Sequence, residues 1–236
     1  MITAQTNPDR NATRATNSQS GNVVFIVMVA VALFAALMFT FSRGARQGGD
    51  NLSAKQADVM ASDILTYVQR VERGVSRVYG RGFSENAISF QNEYISGYEN
   101  ANCTSNRCLV FHKDGGAVAY RQLDSSWSNS SSNWNFTGEN YVVGIGTDCN
   151  NASCSELLMV LDDVPSVLCA ALNKRLSIAP PIPQDNGIDL TEYDGAFAYN
   201  AANDIGDDDA RLEEIRTACF EESGGNNYFY HVLMER

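Results

Sequence analysis

Between Val23 and Phe41 every residue except Thr40 is apolar. At 1.5 Å per residue such a run forms a helix about 28 Å long, against ~30 Å of bilayer hydrocarbon. A secretory signal carries an apolar core of only about 7–15 residues and then a small-residue cleavage site. Here the charged "SRGAR" follows directly. The expectation is a single membrane-spanning helix over 22–42. A polar leader or cytoplasmic tail over 1–21 precedes it. A hinge and amphipathic helix over 43–82 and an extracytoplasmic sheet domain over 83–236 follow.

Orientation rests on two conflicting signals. Arg10 and Arg14 precede the run, while Arg43, Arg46 and Lys55 follow it, which leans towards a cytoplasmic C-terminal part. All six cysteines (Cys103, Cys108, Cys149, Cys154, Cys169 and Cys219) lie beyond the run. Their number is even, and the C-x4-C spacings with only His112 and His231 as histidines do not suit zinc. Disulfides in an oxidising compartment fit better. The cysteines decide the placement: N-terminus cytoplasmic, C-terminal domain periplasmic or extracellular. Six cysteines allow 15 connectivities. Proximity favours Cys103–Cys108 and Cys149–Cys154, leaving Cys169–Cys219.

Beyond the apolar run the chain keeps 15 of its 17 basic and 27 of its 28 acidic side chains. Such an acidic surface repels phosphate backbones, so nucleic acid is excluded as a partner. The segment from Ala54 restarts a helix, with Ser53 and Gln56 spaced as a capping box. Ala54, Ala57, Ala61, Ile64, Val68, Val71, Val75 and Val78 recur at alternating steps of three and four, the signature of one narrow apolar stripe. Gly80 and Gly82 end it.

Strands are expected next: 87–91, a hairpin of "CLVFH" and "AVAYRQL" about Asp114-Gly115-Gly116, then 140–146 and 156–161. A short helix over 166–176, a second over 208–220 and a closing strand "NYFYHVLME" complete the pattern. The fold class expected is α+β, with a long N-terminal helix packed on an antiparallel sheet and a disulfide-stapled C-terminal region.

No motif of hydrolases, zinc proteases, phosphate-binding loops or dinucleotide folds occurs, and the two histidines stand far apart, so no catalytic residue is assigned. The run "NDIGDDDARLEE" gathers hard oxygen ligands but lacks the calcium-loop order of an EF-hand. It equally suits a solvated helix start, and neither a metal nor another cofactor is expected.

A polar leader ending in Gly21, an apolar helix continuing into an amphipathic one, an antiparallel sheet and a cysteine-bracketed end resemble the type IV pilin and type II secretion pseudopilin superfamily. The resemblance implies cleavage after Gly21, leaving Asn22 as the mature amino terminus. It also implies a non-enzymatic pilin-like or minor pseudopilin-like subunit of a secretion or pilus filament. Its partners would be the lipid bilayer and other pilin-like subunits, met through the N-terminal helix. The family places a glutamate at the fifth mature position, where a buried carboxylate must be paired; here Ile26 stands there. That departure points to a minor, tip or accessory subunit. The alternative is an uncleaved single-pass protein whose outer domain binds a partner.

Overall fold

The computed structural model describes residues 20–123, 126–129, 133–147 and 154–236. Within the first helix the described side chains are those of 25, 27–33 and 53 onwards. The chain divides into two compact units, Met1–Asn51 and Leu52–Arg236. Helix α1 is assigned over Ser20–Gly80. In the first unit its described side chains, Phe25 and those of 27–33, are exposed apolar groups.

The expected membrane span is corrected. Among the described residues no helix is long and apolar enough to cross a membrane. Single-pass anchoring, with a cytoplasmic N-terminus and a periplasmic or extracellular domain, falls with it. Val23 and Phe41, the expected ends of the span, have side chains outside the described residues.

In the second unit the apolar stripe of α1 behaves as its spacing predicts. Ala57, Ala61, Ile64, Val68, Val71, Val75 and Val78 are all buried, and only Ala54 of the stripe is exposed. They pack on one face of a five-stranded sheet made of β1 (Asn135–Val142), β2 (Glu156–Leu161), β3 (Asp204–Ile205), β4 (Thr217–Glu221) and β5 (Asn227–Met234). The strand order is β3-β1-β2-β5-β4. Central β2 is buried along its whole length, and its side chains alternate between two cores. Leu157, Met159 and Leu161 join the helix-side core with Phe136 and Phe229. Leu158 and Val160 face the other core, with Ala218, Phe220, Tyr230 and Val232.

The sheet is mixed, not the expected antiparallel one. β1 pairs with β2, β2 with β5 and β5 with β4 in antiparallel fashion, whereas β3 runs parallel to β1. The hairpin expected about Asp114 forms no strand of this sheet. Its turn is closed by backbone donation from Gly115 to His112 and from Gly116 to Leu109, and by the guanidiniums of Arg77 and Arg81. The helix expected over 208–220 is also absent. Turns occupy its first part, and β4 takes its last residues because Cys219 faces one core while Ala218 and Phe220 face the other.

Helix α2 (Ser166–Arg175) covers β4. Asn173 on α2 donates from Nδ2 to the Cys219 carbonyl at 2.7 Å and accepts the Cys219 N–H at 2.9 Å. This side-chain amide pairs an edge strand that would otherwise present open backbone groups. The Cys169–Cys219 disulfide joins the same two elements, and Cys103–Cys108 closes a short loop. Both match the expected pairs. Cys149, of the third expected pair with Cys154, lies outside the described residues; Cys154 is buried.

Candidate functional site

Among the expected site residues, Cys103, Cys108, Cys169 and Cys219 serve the fold rather than a chemical site. Gly21 and Asn22 fall in the first turn of α1, with the Asn22 side chain outside the described residues. Three further arrangements carry polar chemistry, and all belong to the second unit.

The first is a groove of about 510 Å³ between α1 and the extended segment that follows Gly116. Arg70, Arg73 and Arg77 stand at positions i, i+3 and i+7 of α1, so they line one face of the helix along about 10 Å. All three are exposed. Arg77 donates to the Gly116 carbonyl at 3.0 Å. Across the groove Arg121 pairs with Asp63 at 3.6 Å and lies over the Trp127 ring, 4.5 Å from its centroid. Four guanidiniums against one carboxylate make this groove cationic in a chain of net charge −11. Gly74 lets the segment approach the helix: a Cβ there would meet the Val118 side chain at 2.5 Å.

The second is an acidic turn on the other side of the sheet. Asp207, Asp208, Glu213 and Glu214 are exposed there. The turn is pinned by Leu212, buried in the second core, and by Ile215, packed against it. Asp209 is used internally, accepting from the Arg211 N–H and its guanidinium. Beneath lies Asp185, 1% exposed, whose Oδ2 accepts the Gly206 N–H at 2.8 Å. Carboxylate oxygens of Asp185, Asp207 and Asp208 come within 4.8 Å of one another, the spacing of a cation's ligands. Burial pushes the Asp185 carboxyl up to about 7, and the charges of Asp207 and Asp208 act in the same direction.

The third is a line of hydroxyl, imidazole and carboxylate. Thr217 Oγ1 lies 2.6 Å from His231 Nδ1, and His231 Nε2 lies 3.3 Å from Glu72 Oε2. The constellation has the parts of a nucleophile relay, but His231 is only 6% exposed and Arg216 bridges Glu72 and Glu235 beside it. It ties α1 to β4 and β5.

The arginine face was legible in the spacing 70, 73 and 77, though nothing in the sequence placed the segment after Gly116 opposite it. Asp185, far from the acidic run in the chain, gave no signal at all.

No family model, curated protein or solved structure matches the chain.

Proposed function

We propose that the chain is a non-enzymatic structural subunit that assembles with further copies of itself through α1 and presents the disulfide-bonded sheet unit. The observation that carries this reading is the exposure of the described apolar side chains of α1. Phe25, Met28, Val31 and Leu33 are each at least 60% exposed, and Val27 is 55% exposed. Successive helical positions turn by about 100°, so these residues point to every side of the helix. A helix that is apolar all round is covered by other apolar surface in its working state. Neighbouring copies of the same helix supply that cover, and they supply it symmetrically.

An enzymatic role draws no support from the polar clusters: the His231 relay is closed over, and among the described residues the arginine groove holds no nucleophile paired with a base. The cut after Gly21 that the resemblance implies would leave Asn22 beside the apolar side chains as a new amino terminus. An intact mass beginning at Asn22 supports that step, and a mass beginning earlier removes it.

Sedimentation velocity on the full chain tests the assembly itself. The native sequence sediments as a multi-copy species, and Phe25→Glu combined with Val31→Glu sediments as one chain. A native sequence that sediments as one chain overturns the proposal.

A further inference from the structure

We infer that copies associate head to tail, the acidic turn of one seating its carboxylates in the arginine groove of the next. The inference rests on the proposal that the chain assembles, and it adds which surfaces meet.

Three observations carry it. Among the described residues the groove gathers Arg70, Arg73, Arg77 and Arg121 against Asp63, although the chain as a whole has net charge −11. The cations are held for an outside partner. Arg77 is fixed by the Gly116 carbonyl and Arg121 by Asp63 and Trp127, which pre-orders the groove at both ends. Arg70 and Arg73 stand exposed between them.

The complementary charge is on the same molecule but out of its own reach. α1 packs in the core on one face of the sheet, with Leu157, Met159 and Phe229. The acidic turn is anchored by Leu212 in the core on the opposite face, with Leu158, Val160 and Tyr230. Two stacked layers each stand about 10 Å from the sheet, so the carboxylates cannot fold round to the arginines of their own chain. Opposite charges on opposite faces repel a two-fold pairing that brings like patches together. They favour a heterologous contact that repeats from copy to copy.

The chemistry also fits. Asp207 and Asp208 at one end of the turn and Glu213 and Glu214 at the other form two exposed pairs. Guanidiniums bind such carboxylates in the fork geometry that a lysine would not offer. Arg70 and Arg73 are the natural receptors for Asp207 and Asp208.

Charge reversal tests the contact on the full chain. One variant carries Arg70→Glu and Arg73→Glu, the other Asp207→Lys and Asp208→Lys. All four side chains are exposed, and circular-dichroism melting confirms that each variant keeps the native fold. Light scattering is expected to show self-association weakened at least about tenfold in each variant alone. Mixing the two variants restores it, because each groove then meets a turn of opposite charge. In the native chain, raising ionic strength from about 0.01 M to about 1 M cuts the screening length from ~30 Å to ~3 Å and weakens the association. Variants that associate as the native chain does, or a mixture that fails to recover, overturn the inference and leave helix-driven assembly standing. A native chain that is single at every salt concentration overturns both. A groove that serves a small oxyanion instead shows inorganic phosphate binding lost in the arginine variant while association is unchanged, which also overturns it.

Discussion

His231 on β5 donates from Nε2 to the Oε2 of Glu72 on α1 at 3.3 Å, across a sequence separation of 159 residues. A carboxylate only accepts, so Nε2 carries a proton, and Nδ1 lies 2.6 Å from the Thr217 hydroxyl. The hydrogen bond from His231 holds the Glu72 carboxyl below its usual range, with the charges of His231 and Arg216 assisting. Arg216 adds an ion pair to Glu72 at 3.1 Å.

Glu72→Ala therefore leaves a nearly buried imidazole N–H without its acceptor, and is expected to lower unfolding free energy by about 1–3 kcal/mol. Glu72→Gln keeps an acceptor and loses less. The pH dependence has a definite sign. A carboxylate with a lowered folded pKa contributes stability that is present above its unfolded value of 4.5 and lost as pH falls through the folded one. Urea melts from pH 7 downwards should show the native chain losing more stability than Glu72→Gln.

Glu156 predicts the opposite slope. It is fully buried at the β1–β2 register shift, where its Oε2 accepts the Val142 N–H at 2.9 Å and its Oε1 has no hydrogen-bond partner among the described residues. Burial pushes its carboxyl up to about 8 from 4.5. A raised carboxyl favours the folded state fully below pH 4.5, and that contribution is lost as pH rises to about 8, at up to ~1.4 kcal/mol per pH unit. Glu156→Gln, which does not titrate, should flatten the fall of stability across this window. Equal slopes in the two proteins would mean that Glu156 is ionised in the folded state.

The Cys169–Cys219 disulfide closes a separation of 50 residues. Loop-closure entropy for that length corresponds to about 4 kcal/mol. The double substitution Cys169→Ala and Cys219→Ala should lower stability by about that amount and loosen β4, which the Asn173 hydrogen bonds and the apolar side of α2 would still hold. Hydrogen exchange at the Cys219 position amide, protected by Asn173 in the native chain, reads the loosening directly.

Periodic elements could be read from the sequence and irregular ones could not. The stripe from Ala57 to Val78, the α2 positions Leu168 and Leu172, and the strands β2 and β5 all follow from spacing, because one packed face repeats at the period of its element. The segments around Asp114 and from Asp207 to Phe220 misled it for a physical reason. Asp114-Gly115-Gly116 has the residues of a hairpin turn, yet Arg77 on α1 and Arg81 just past its end claim its carbonyls. Asp207–Asp209 looks like the acidic start of a helix, but Asp209 spends its side chain on Arg211 and the backbone of Gln184. The parallel β3 pairing is invisible beforehand, since only the two residues Asp204 and Ile205 make it. At the candidate sites the arginine spacing was readable, whereas the face of the sheet on which each charge sits depends on the fold.

Photo-cross-linking is the most direct measurement of assembly through α1. A benzophenone side chain placed at Met28, which is 70% exposed, samples whatever covers the apolar helix in the native setting. The account predicts a ladder of products at integer multiples of the chain's own mass, with cross-links mapping to residues 25–33 of a neighbouring copy. Adducts to lipid alone, or to no partner, would contradict it.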